Sequence, residues 1–255
     1  MGTNLSSSDG TSGTATGGDA VFYDNQDGVS TIRIDDGKRN ALSPSVIKAL
    51  DAAFVRARRE CATVILTGRE SVFSAGFDLN VMKRGGLDAI GMLRGGYRLP
   101  ARVLSHPHPV IVACNGHSYA MGVFLMLAGD HIIGCAGDFK AAANEVAIGL
   151  KMPRVAAAML EYRLTPSAYQ RAVTVSAEFY PQAALLAGFY DELVEPQHLE
   201  ERAHYVAHTL KQLPQVAHGA SKLRIRKQLI RRLKRSVPRD LFDAAMMGIR
   251  GVKPR

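Results

Sequence analysis

The sequence predicts an α/β fold with a helical C-terminal region, on three observations. Apolar runs of strand length alternate with helical patterns up to Leu150, and from Pro153 onward the pattern is mainly helical. Twice, an apolar run meets a glycine-containing turn that leads into a helix start, in "VILTGRESVFSAGFDL" and "VIVACNGHSYAMGVFL".

The elements follow in chain order. Residues 1–20, "MGTNLSSSDGTSGTATGGDA", have almost nothing apolar to bury and read as a disordered leader. They lack the basic and apolar regions of a signal or transit peptide. "AVFYDN" and "VSTIRID" form two strands joined at Asp27-Gly28. Ser43 caps the next helix, Pro44 takes its first position, and Val46, Ile47, Leu50, Phe54 and Ala57 make its apolar stripe. "ATVILTG" is a buried strand, a helix is expected over residues 87–104, and "PVIVACNG" is a second buried strand ending in a turn that opens an apolar helix. "HIIGCAG" is a third strand, "ANEVAIGL" lies in a loop, and "FYDELVEP" is one late strand. Residues 21–200 form the expected core and 201–255 a basic helical segment.

Composition narrows the class. With 47% hydrophobic and 22% charged residues among 255, the chain is ordinary globular material. Its longest apolar stretch, Tyr119 to Gly129, falls short of the ~20 residues a membrane span needs. Cys61, Cys114 and Cys135 have no CxxC spacing, which points to free thiols in a cytoplasmic protein with no metal site. The net charge of +9 is lopsided: residues 201–255 hold 14 Lys and Arg against 3 acids, leaving 18 against 20 elsewhere. Such a run reads as a solvated helix face or as a phosphate-binding surface, with no motif that indicates nucleic acid.

The first N–H groups of a helix have no partner within it. Two such turns converging on one point would offer paired donors to an oxygen that becomes negative. Strand–turn–helix units also occur as plain architecture, so periodicity alone leaves both readings open.

Four segments in order, "KRNALSPSVIKAL", "TGRESVFSAGFDL", "PVIVACNGHSYAMGVFLMLAGD" and "NEVAIGLKMP", resemble the motifs of the enoyl-CoA hydratase/isomerase (crotonase) superfamily over about residues 21 to 235. The resemblance implies a crotonase-like spiral of ββα units with a C-terminal helical segment, assembled as a homotrimer or a dimer of trimers. It implies an acyl-CoA thioester substrate, with no cofactor beyond the coenzyme A the substrate carries. It assigns the oxyanion N–H groups to Phe77 and Met121, where Met121 stands at a position the family usually fills with glycine. It assigns the adenine end of coenzyme A to the segments holding Ala41, Ala75, Asp78 and Leu79, and the phosphates to Lys38, Arg39 or Lys222.

One departure bears on the chemistry. The family's hydratases use two glutamates; the first position is Phe124 here and only the second is kept, as Glu145. The resemblance therefore implies a single-carboxylate enzyme, for which double-bond isomerisation is less demanding than hydration. Partial burial among "AAANEVA" is expected to raise the pKa of Glu145 toward neutrality. His117 and Tyr119 lie beside the second donor, and a role for His117 would restore hydration or thioester hydrolysis. Asp78 and Asp130 are expected to bond backbone groups instead of titrating. A fatty-acyl-CoA binding protein with little turnover is the remaining reading, since Phe124 and Met121 both make the cavity more apolar.

Overall fold

The structure, a computed structural model, describes residues 14–15 and 20–249, with side chains described over 20–246. Most of the expected leader therefore lies outside the described residues. In order come β1 (Thr14–Ala15), β2 (Val21–Gln26), β3 (Val29–Ile34), β4 (Ala41–Leu42), α1 (Pro44–Arg59), β5 (Thr63–Thr67), β6 (Ser71–Ser74) and β7 (Gly76–Phe77). Then follow α2 (Leu79–Arg84), α3 (Gly86–Gly96), α4 (Leu99–Leu104), β8 (Val110–Cys114), β9 (Gly116–Tyr119), α5 (Met121–Met126), β10 (His131–Cys135) and β11 (Ala141–Ala142). The last quarter and more is α6 (Arg154–Arg163), α7 (Pro166–Val175), α8 (Pro181–Ala187), β12 (Glu192–Val194), α9 (Leu199–Lys211) and α10 (Gln215–Ile249).

Seven strands form one sheet in the order β1-β2-β3-β5-β8-β10-β12. β2 and β3 are an antiparallel hairpin whose turn residues, Asp27 (φ 49°) and Gly28 (φ 72°), both take the positive φ that a two-residue turn of this twist requires. From β3 to β12 every pairing is parallel, so both faces need covering. β8 shows the consequence: all five of its residues are buried, as the unbroken "VIVAC" run demands. Alternation along these strands sends Val64, Leu66, Val110 and Val112 into the main core with α1 and α5, and Ile65, Ile111 and Ile133 toward α9.

After β3, β5, β8 and β10 the chain steps out into a smaller pairing before its helix. β6, β9 and β11 form a second, parallel sheet, and β4 pairs with β7. That repetition is the expected spiral of ββα units. α1 begins as the sequence indicates, with Ser43 Oγ accepting from Val46 N and Pro44 at the first position.

Two local expectations need correction. The 87–104 helix is two helices, α3 and α4, broken at Tyr97-Arg98, and Pro100, which has no N–H to donate back into α3, sits in the first turn of α4. Asn115-Gly116 does not open a helix. Gly116–Tyr119 is a strand between β6 and β11, and α5 starts only at Met121 and lasts six residues. The boundary drawn at residue 200 falls at the start of α9, whose Leu199, Ala203, Val206 and Ala207 are buried against the sheet.

Candidate active site

Three chain segments meet where the sequence placed its two turns. The first is β7, paired with β4 through Ala41↔Gly76 and Leu42↔Phe77, and with Ala75 N donating to Arg39 O at 3.0 Å. The second is the entry to α5. Gly76 (φ 84°) lies directly against it: a Cβ there would sit 3.0 Å from Tyr119 O and 3.2 Å from Met121 N. The turn behind Gly122 is as close, since a Cβ on it would lie 2.6 Å from Ser74 O. The third segment is β11, held beside β9, with Ala120 N donating to Ala142 O at 2.9 Å. Glu145 follows three residues later.

Ala120 has φ 48° and ψ −122°, a conformation that costs an L-residue on the order of 1–3 kcal/mol. The strain turns the chain sharply before Met121, whose N–H is the first of α5 and has no acceptor within it. A helix of six residues contributes this local N–H group and little macrodipole. Met121 itself is fully buried, and so is Phe124, three residues further on.

Glu145 is 6% exposed, and its Oε2 has no hydrogen-bond partner. Burial raises its carboxyl pKa to about 7. The segment that carries it is held tightly: Leu150 N donates to Glu145 O at 2.8 Å and Ala147 N to Ser176 Oγ at 3.0 Å. A buried carboxyl with a free oxygen and a near-neutral pKa suits proton transfer at physiological pH.

Tyr97 was not foreseen. It closes α3, is buried, and sets its ring edge-on to Phe77 with centroids 5.5 Å apart. Burial holds its phenol well above the ordinary range, and the carboxylates of Asp240 and Glu145 push the same way. Its ring thus packs directly on the Phe77 turn. Only its place at the helix break before Pro100 marks it in the sequence.

The other anticipated residues sort clearly. Asp78 caps α2, accepting from Asn80 N at 2.8 Å. Lys38 and Arg39 are exposed on the loop before β4, and Leu79 is exposed beside β7. His117 Nδ1 accepts from Lys140 N at 3.2 Å, and its ring stacks on Tyr119 and meets Phe139 edge-on. Lys222 is a correction. It is 5% exposed, and its Nζ donates to Asp130 Oδ2 at 2.5 Å and to His108 O at 3.0 Å. Arg226 lies 2.7 Å from Asp130 Oδ1, and Val110 N donates to Oδ2 at 2.7 Å. A lysine so enclosed and neutralised is unavailable to a phosphate, whereas Asp130 bonds backbone as expected.

Among the described residues no helix is long and apolar enough to cross a membrane, and no group of three or more His, Cys, Asp or Glu is placed to hold a metal.

Comparison with known proteins agrees with the fold. A carnitinyl-CoA dehydratase of Salmonella typhi is 29% identical over 182 residues, 70% of this chain and 69% of the relative. The structure of an enoyl-CoA hydratase from Mycobacterium marinum superposes with a TM-score of 0.83 at 42% identity, covering 87% of this chain and 97% of that one. An enoyl-CoA isomerase of Mycobacterium tuberculosis superposes as well, with a TM-score of 0.82 at 41% identity over 89% and 98%. That same Mycobacterium tuberculosis protein is described as a probable enoyl-CoA hydratase in another structure, so the descriptions do not separate the two reactions. Residues 24–243 match the enoyl-CoA hydratase/isomerase family, and this chain belongs to it.

Proposed function

We propose that the enzyme moves the double bond of a 3-enoyl-CoA thioester to C2, with Glu145 as its single proton shuttle. The ionised Glu145 carboxylate removes a proton from C2, and the electron pair passes into the thioester carbonyl to give a dienolate. The N–H groups of Phe77 and Met121 face that oxygen and stabilise its charge; such donors are each worth about 10²–10³ in rate. Protonated Glu145 returns the proton to C4 as the C2–C3 double bond forms, so nothing is gained or lost overall. Coenzyme A enters and leaves as part of the substrate. Ala41, Ala75, Asp78 and Leu79 border the entry, with the exposed Lys38 and Arg39 as its cations. We take the assembly to be a homotrimer or a pair of trimers, a mass that light scattering reads.

One observation carries the reading. The Glu145 carboxyl is buried with an oxygen free, three residues beyond the β11 strand that bonds the entry of α5, while the family resemblance puts Phe124 where its hydratases have another acid. Phenylalanine neither holds water nor titrates. Hydration by His117 is disfavoured because its Nδ1 already accepts from Lys140 N.

The test is turnover of trans-3-enoyl-CoA and trans-2-enoyl-CoA of one chain length by wild type and Glu145→Gln. Isomerisation lost in the variant, with weak hydration throughout, supports the proposal. Strong hydration by wild type overturns it. Binding of acyl-CoA with no turnover of either substrate would identify a binding protein instead.

A further inference from the structure

The basic segment is not absorbed by the isomerase chemistry. Between Glu201 and Asp240 the chain has no acid, and α10 turns two faces of different character outward and inward. Lys222, Arg226, Ile230, Leu233, Val237 and Asp240 are buried, and that face holds the helix to the core. On the opposite side Arg231, Arg235 and Arg239 repeat at four-residue spacing, all exposed. Like charges so spaced cost a helix roughly 0.2–0.5 kcal/mol per pair, and packing gains nothing from them.

These three arginines, with Arg154 of α6, Arg232, Gln228 and Ser236, line a groove of about 520 Å³. That lies within the range of about 300–1,000 Å³ typical of small-molecule sites. Arg154 is neutralised by Asp240 and Asp243, and Arg232 by Glu161. Arg231, Arg235 and Arg239 make no carboxylate contact among the described ion pairs. Their planar guanidinium groups bind phosphate oxygens in pairs. No aromatic side chain lines the groove, so bases have nothing to stack on, and its concave shape suits a compact anion better than a flat bilayer.

We propose that this groove is a binding site for a short chain of phosphates, as in inorganic tripolyphosphate or a nucleoside triphosphate. It shares no lining residue with Phe77, Met121 or Glu145, so it stands independently of the isomerase reading.

The test is calorimetric titration of the full chain with tripolyphosphate, ATP and orthophosphate at low salt. Wild type, the double variant Arg231→Gln/Arg235→Gln and Glu145→Gln are compared. The expected result is tripolyphosphate binding weakened about tenfold or more in the double variant and unchanged in Glu145→Gln, with orthophosphate much weaker, since two bidentate contacts are lost. ATP binding more tightly than tripolyphosphate would identify the nucleotide as the source, and equal binding the phosphate chain alone. Either supports the site. Equal binding by wild type and double variant, or none by wild type, overturns it. Displacement of tripolyphosphate by free coenzyme A overturns it as a separate site, and displacement by a DNA duplex makes it a nucleic-acid surface.

Discussion

Replacing Glu145 with glutamine should stabilise the protein at alkaline pH while removing its activity. The carboxyl pKa is 4.5 in its ordinary state and rises to about 7 in the fold because burial disfavours the charge. The folded state therefore holds this proton more tightly than the unfolded state does. The resulting stability is fully present below the unfolded value and is lost as pH rises through the folded one. At 1.36 kcal/mol per unit, the buried ionised carboxylate costs about 3 kcal/mol at high pH. Between about pH 5 and pH 8 the loss amounts to about 2.5 kcal/mol. Glutamine has no proton to lose, so its own stability lacks this decline. Urea denaturation of both proteins at those two pH values isolates the difference, because all other titrating groups are shared. The variant should gain on wild type by about 2.5 kcal/mol, or about 5–10 °C in midpoint for a chain of this size. A difference that stays the same at both pH values would refute the buried, proton-sharing account of Glu145.

Further outcomes follow from the same geometry. The kcat/KM for isomerisation should rise with pH through a midpoint near 7, as Glu145 ionises to become the base, and a midpoint near 4.5 would contradict its burial. Gly76→Ala places a methyl against Tyr119 O and Met121 N at positive φ, so kcat should fall about 10²-fold and stability by about 1–3 kcal/mol, read by steady-state kinetics and urea melts. Lys222→Met leaves Asp130 with Arg226 alone among its cations and should cost about 3 kcal/mol in urea denaturation without changing KM for acyl-CoA. His117→Phe removes an acceptor for Lys140 N, so about 1 kcal/mol of stability should go while turnover stays at the wild-type rate.

Much of this was legible in the residues themselves, for identifiable reasons. Local chemistry declared the Asp27-Gly28 hairpin and the Ser43-Pro44 helix start, because a turn and a cap are decided by neighbours in sequence. The burial of Glu145 followed from its apolar surroundings. Long-range pairing was less visible. The "GHSY" segment has no clear apolar alternation, and only its partners β6 and β11, distant in sequence, make it a strand. Tyr97 gains its place against Phe77, twenty residues earlier, which its own sequence neighbourhood does not announce. Lys222 is different, for its signal was present. It repeats with Arg226, Ile230, Leu233 and Val237 along one helix face, and periodicity alone puts it with the core instead of with the outward cations.

The enclosed carboxylate of Asp130 has a consequence for how the chain matures. Its backbone donor, Val110, lies nearby in sequence, but both of its counter-charges arrive more than ninety residues later, on Lys222 and Arg226. During synthesis the strands around it are complete long before α10 emerges. Without α10 that carboxylate would lose both of its ion-pair partners. Docking of α10 supplies the missing cations and seals that end of the molecule in one event. Two cations on one face of α10, more than ninety residues away in sequence, thus make the burial of this carboxylate depend on the seating of that helix.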